Sequence, residues 1–164
     1  MLIDRLADVQ DRLKRLYGLL KDIERAKDEA EAAEKPRIQL KIDAQWAEIV
    51  PVEKEYFQLL VKQDVPEPVA EVVVAELIDE IELLMRPTLQ GVETQQLLAQ
   101  ILAELRKQGT PASTKLKMAI PIIPNWVTYE IEGDTEAVVR RLFPMFVRLC
   151  EGIRSIAGGD VPGK

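Results

Sequence analysis

The chain has 164 residues, with 22 Lys and Arg against 28 Asp and Glu, a formal net charge of −6, one Cys and no His. Without His, the Ser-His, Cys-His and His-metal sites of many enzymes are excluded, and a single Cys excludes both a disulfide framework and a thiolate zinc site. A hydrophobic content of 47% indicates a folded protein with a real core, and the charged first residues predict a cytoplasmic protein without a signal peptide.

The first 63 residues predict a long helical hairpin. Apolar residues recur there at alternating steps of four and three, which indicates a helix with one narrow apolar stripe. A second helical run begins near Arg37, so an antiparallel hairpin over residues 1–63 would bury the two stripes against each other. The alternative is that the first stripe pairs with another chain; internal pairing is favoured because it needs no second molecule. Pro51 predicts a kink or a restart in the second helix.

Two further helices are predicted over residues 64–108. The first of them should end near Arg86, because Pro87 follows, and the second should stop at Gly109. This segment holds 9 acidic and only 3 basic residues. Such runs of acids are typical of a solvated helix face rather than of paired catalytic carboxylates.

The periodicity changes over residues 109–156. Alternating apolar residues in KLKMAIPIIP and again in WVTYEIEGD predict two strands joined by a Pro-Asn turn. A closing helix is predicted after Asp134, and residues 157–164 are predicted to be a flexible tail. The predicted fold class is therefore α+β and mostly α, with a long helical hairpin, two further helices, a β-hairpin and a C-terminal helix.

Candidate chemistry is sparse. Glu130, Glu132 and Asp134 share one predicted strand and turn, where oxygen ligands for a divalent cation could gather. Lysines on the neighbouring predicted strand would neutralise them, so a solvated face is favoured. Cys150 lies on an apolar helical stripe and is predicted to be a core residue. We expect no metal and no cofactor.

Two stretches carry a family resemblance. The run KLKMAIPIIPNWVTYEIEGDTEAVVRRLFP resembles a segment of cyanobacterial and other multicellular-bacterial signalling proteins, in which an IPLIP-type strand, a second strand and a capped helix follow one another. The charged N-terminal hairpin resembles those of the effector-associated adaptor regions in these proteins, which are joined to caspase-like, TIR or NACHT-type modules. The residues that match the first segment are Leu116, Ile120, Pro121, Ile123, Pro124, Tyr129, Glu130, Asp134 and Thr135.

The resemblance implies a non-enzymatic adaptor or sensor component of a bacterial conflict system that recruits or regulates a separately encoded effector. We therefore expect a protein-interaction module whose partner is that effector, a second copy of the chain, or both. Large apolar side chains carry most interface energy. The candidate interaction residues are Leu13, Leu16 and Leu20 on the first helix and Ile120, Ile122, Trp126 and Tyr129 at the β-hairpin.

Two rival functions remain from the sequence, and both are disfavoured. A membrane-active effector would insert an apolar segment, but the apolar segments are short and flanked by acids. A nucleic-acid accessory protein would need basic residues on one face of the last helix. The residues in question are Arg140, Arg141, Arg148 and Arg154.

Overall fold

The protein is described by a computed structural model over residues 2–86, 92–123 and 133–157. Within these ranges it forms six α-helices and no strand. No helix in these ranges is long and apolar enough to cross a bilayer. The helices are α1 (Leu2–Glu29), α2 (Lys35–Val61), α3 (Glu67–Met85), α4 (Val92–Leu105), α5 (Ala112–Ala119) and α6 (Gly133–Ala157).

Helices α1 and α2 form the antiparallel hairpin that the two apolar stripes predict. A salt bridge between Arg5 and Glu55 joins them at one end, and a hydrogen bond from Lys27 to Gln39 joins them at the other. Pro36 lies in the first turn of α2. The amide groups of a first turn have no acceptor within the helix, so a proline costs no hydrogen bond there. The stripe of α1 therefore faces a partner in its own chain.

The predicted restart at Pro51 is absent, because α2 runs through this residue without interruption. Pro51 is exposed, while Ile49 and Val52 beside it are buried in the core. A proline inside a helix removes one hydrogen bond and crowds the preceding turn. Burial of the residues on either side holds the helix together across that local loss.

The predicted β-hairpin is wrong within the described residues, because its first strand is the helix α5. Leu116 and Ile120 fit both a period of two and a helical period, so alternation alone cannot decide between strand and helix. Burial of Ala119 and 52% exposure of Met118 follow the helical period. The second predicted strand lies outside the described residues, so the fold is all-helical where it is described.

A carboxylate from a distant helix caps α5. Glu67 on α3 accepts hydrogen bonds from the Ala112 amide (2.6 Å), the Ser113 amide (3.2 Å) and the Ser113 hydroxyl (2.8 Å). These hydrogen bonds lower the pKa of Glu67 below its ordinary value, and the bond from the Ser113 hydroxyl has the largest effect. No carboxylate stands next to α5 in the sequence. The cap that stabilises its first turn comes from Glu67 on α3, so a local sequence pattern cannot indicate it.

Helix α6 lies between the hairpin and α3. Arg140 forms an ion pair with Glu24 on α1, whereas the next residue, Arg141, forms one with Glu80 on α3. The buried residues of all six helices belong to one contiguous core. The apolar stripe predicted for α6 is buried along its length, at Val138, Val139, Leu142, Phe143, Phe146, Leu149, Cys150 and Ile153.

Candidate functional site

The interaction residues predicted on α1 lie in the core. Leu13, Leu16 and Leu20 are buried, with Leu13 and Leu20 fully enclosed. The amide of Gln45 on α2 donates a hydrogen bond to the carbonyl oxygen of Leu16 at 3.0 Å, which places α2 directly beside this stripe. The three leucines stabilise the hairpin itself and do not form part of an open surface in this structure.

Of the other four predicted interaction residues, two lie in the described part of the chain and two lie outside it. Ile120 is buried, and Ile122 is half-buried and packs against the core. Trp126 and Tyr129 lie outside the described residues. The structure therefore does not bring the seven predicted residues together at one surface within the described ranges.

Away from its turn, along the middle of the two helices, the hairpin is closed by buried polar pairs and aromatic rings. The Tyr56 hydroxyl donates to Gln10 at 2.7 Å, and the Tyr17 hydroxyl donates to the buried carboxylate of Glu53. The ring of Phe143 on α6 lies edge-on to both tyrosines, with centroid distances of 5.1 Å to Tyr17 and 5.6 Å to Tyr56. We call this region the base of the hairpin. Its side chains are closed to solvent and serve packing.

Near the turn of the hairpin the same helices leave an open pocket of about 450 Å³. A second depression of about 310 Å³ adjoins it and shares three lining residues with it. We call the two together the tip pocket. Its lining residues are Lys21, Glu24, Arg25, Lys27, Asp28, Gln39, Ile42, Trp46 and Arg140.

The polar wall of the tip pocket is ordered by contacts between helices. Both terminal nitrogens of Arg140 donate to the Glu24 carboxylate, at 3.0 and 2.8 Å. This hydrogen bonding raises the pKa of the Arg140 guanidinium above its ordinary value. The ammonium of Lys27 reaches across to Gln39 on α2. The pocket therefore combines a fixed charged wall with an apolar side formed by Ile42 and Trp46.

A sequence signal for this pocket exists in the composition of α1. Beyond Ile23 this helix offers only Ala to α2 as apolar cover, while α2 still presents Ile42 and Trp46. Large side chains opposite small ones leave space unless another element fills it. The pocket is not predicted from the sequence, because it depends on how α6 packs against the hairpin at Arg140.

Three of the four arginines of α6 form ion pairs with carboxylates of other helices. Arg140 pairs with Glu24, Arg141 with Glu80 at 2.6 Å, and Arg148 with Glu76 at 2.9 Å. These cations are directed to carboxylates on two different helices. Such pairing uses the charges that phosphate binding would need.

No group of three or more His, Cys, Asp or Glu side chains within residues 2–86, 92–123 and 133–157 is placed to hold a metal ion. Cys150 is buried in the core, and burial raises the pKa of its thiol above the ordinary value. A buried thiol of raised pKa has the environment of a structural cysteine rather than of a nucleophile.

Comparison with protein-family models, with curated proteins and with solved structures gives no match to this chain. The functional argument therefore depends on the geometry of the tip pocket and on its chemistry.

Proposed function

We propose that this protein is a non-enzymatic interaction module that binds a protein partner through the tip pocket. The observation that carries the proposal is the combination of an open cavity, the indole of Trp46 and a charged wall on one end of the hairpin. Trp and Arg are the residue types most enriched where binding energy concentrates at protein interfaces. The absence of His from the sequence supports the non-enzymatic part of the proposal.

The biological setting is proposed from the family resemblance alone. In that setting the protein is a cytoplasmic adaptor or sensor component of a bacterial signalling or defence system, and its partner is a separately encoded effector, a second copy, or both. The pocket is compatible with such a role because it is open at one end of a long hairpin and leaves the core intact.

The test is capture of a tagged chain with its partners from the source cells, followed by titration of the purified partner. Trp46→Ala and Lys27→Glu should each weaken the direct binding about tenfold or more, as expected for residues central to an interface. Leu40→Ala is the matched control, because Leu40 is 69% exposed on α2 and does not line the pocket.

Equal binding by wild type and both pocket variants would contradict the proposal, provided that circular dichroism shows all variants folded. Lys27→Glu keeps the test decisive if Trp46→Ala loses stability, because Lys27 lies on the wall of the pocket and outside the core.

A further inference from the structure

The tip pocket has a net positive charge on an acidic protein. Four cationic side chains line it against two carboxylates, whereas the whole chain carries −6. Lys21 and Arg25 are exposed at its outer rim. A lining with a net positive charge favours an acidic occupant, and complementary charge raises both the rate and the specificity of association.

Helix α3 presents such an acidic surface on the same chain. It contains six carboxylates and no Lys or Arg. Glu76 and Glu80 form ion pairs with arginines of α6, and Glu82 forms one with Arg106, directly after α4. Exposed acids therefore remain on the side of α3 that faces away from the core, at Glu71 and Asp79.

The same side of α3 also exposes large apolar residues. Val72 is 58% exposed and Leu83 is 46% exposed. The spacing from Val72 to Asp79 to Leu83 is seven and then four residues, so all three lie on one face of the helix. We call Glu71, Val72, Asp79 and Leu83 the outer face of α3. The acids of this face are complementary to the cations of the tip pocket, and its apolar residues are complementary to the apolar side formed by Ile42 and Trp46.

One copy can use both surfaces at once. The tip pocket and the outer face of α3 share no residue, and α6 lies between them. The adjacent residues Arg140 and Arg141 show this separation, since Arg140 reaches α1 at the pocket and Arg141 reaches α3.

We propose that the tip pocket of one copy binds the outer face of α3 of a second copy, head to tail. This inference rests on the proposed function, because it names the occupant of the same pocket. The contact joins different surfaces of the two copies, so it generates a ring if the rotation closes and an open chain if it does not. The protein would then present repeated copies to its effector.

A small phosphorylated ligand fits the pocket less well than an acidic helix. The guanidinium of Arg140 already binds Glu24 with both terminal nitrogens, and the ammonium of Lys27 binds Gln39. The carboxylate of Asp28 also lines the pocket and repels a dense negative charge. Lys21 and Arg25 at the rim suit the spaced single carboxylates of a helix.

The experiment is sedimentation velocity on the full chain over a dilution series with two charge-reversed variants. The pocket variant is Lys21→Glu with Arg25→Glu, and the helix variant is Glu71→Lys with Asp79→Lys. All four side chains are exposed, so both variants should fold. The wild type should associate more weakly at high salt, and each variant alone should associate about 10- to 100-fold more weakly, because like charges then meet.

A mixture of the two variants should associate about as strongly as the wild type, because each reversed surface then meets a complementary one. The matched control is Lys41→Glu with Lys54→Glu, which changes the net charge equally at exposed sites of α2 outside the pocket. It should associate like the wild type.

Three results would overturn the inference: a monomer at every concentration, a mixture that does not associate, or a control that weakens as much as the pocket variant. If the chain is monomeric while an effector still binds in a Trp46-dependent manner, this inference fails and the proposed function stands. If neither a second copy nor an effector depends on the pocket, both fail.

Discussion

The base and the tip of the α1–α2 hairpin share the same apolar repeat but differ in what covers them. At the base, the rings of Phe143 and Phe146 on α6 close the space between the helices, and buried polar pairs fix the register. At the tip, α1 offers Ala, and among the described side chains of α6 Arg140 lines the cavity. The comparison shows that the apolar stripes determine which two helices pair. The packing of α6 against that pair determines where the space between α1 and α2 is filled and where a cavity remains.

The largest expected effect is at the base. Phe146→Ala removes a buried ring whose centroid lies 5.2 Å from that of Phe57. The free energy of unfolding should fall by about 3–5 kcal/mol, the usual cost of truncating a buried Phe. Urea denaturation followed by circular dichroism measures it. The control Leu40→Ala should change the free energy by less than about 0.5 kcal/mol, and equal losses in both would remove the distinction between core and surface.

Tyr56→Phe tests the polar part of the base. It leaves the side-chain oxygen of Gln10 without its 2.7 Å donor in a buried site. The free energy of unfolding near pH 7 should fall by about 1–3 kcal/mol, the cost of an unsatisfied buried polar group. A double-mutant cycle with Gln10→Leu should show coupling between the two changes, and additive losses would contradict the hydrogen bond.

The pH dependence of Tyr56 has a defined sign. Burial raises the pKa of this phenol well above its ordinary value of about 10, and the negative charges of Cys150, once its thiol is ionised, and of Glu151 add to this rise. The unfolded chain therefore loses this proton first, and stability falls as the pH rises above about 10. Tyr56→Phe should show a shallower fall than the wild type between neutral and alkaline pH, and parallel curves would contradict it.

Gly152 and Gly18 differ in how much space a side chain would have at their positions. A Cβ at Gly152 on α6 would lie 2.7 Å from a methyl carbon of Val69, whereas a Cβ at Gly18 on α1 would meet no atom within 4 Å. Gly18→Ala should stabilise the protein by about 0.5–1 kcal/mol through backbone entropy. Gly152→Ala should gain the same backbone entropy, but its methyl group would crowd Val69. We therefore expect a net loss of up to about 2 kcal/mol in the free energy of unfolding. Thermal unfolding of both variants checks the difference, and equal gains would show that α6 can move away from α3 without loss.

The smallest effect is expected at the tip. Glu24→Gln weakens the ion pair with Arg140, whose side chains are 38% and 28% exposed. Partly exposed pairs contribute about 0.2–1 kcal/mol and are screened by salt. The loss of stability should therefore be smaller than for either base variant and should vanish in high salt, as measured by denaturant unfolding at two ionic strengths. A loss as large as that of Phe146→Ala would mean that the tip is as tightly coupled as the base.

Local sequence rules worked where one helical pattern dominated and failed where two patterns coincided. The hairpin and the stripe of α6 were predicted because many residues repeat the same period, and their burial follows it. The strand at Lys115 was wrong because Leu116 and Ile120 satisfy both periods, and the deciding cap comes from Glu67 on another helix. The tip pocket was missed because a cavity depends on which neighbours fail to cover a side chain, and no local pattern records that.

The sequence by itself determined that α1 and α2 carry matching apolar stripes, that α3 ends close to Arg86, and that Cys150 belongs to the core. It placed the end of α4 at Gly109, whereas this helix already ends at Leu105. Only the tertiary structure decided that α5 is a helix, that Arg140 and Arg141 of α6 pair with two different helices, and that Trp46 borders an open pocket. The physical reason is range: propensity and periodicity act within a few residues, whereas capping, ion pairing and cavity formation depend on contacts between residues far apart in the chain.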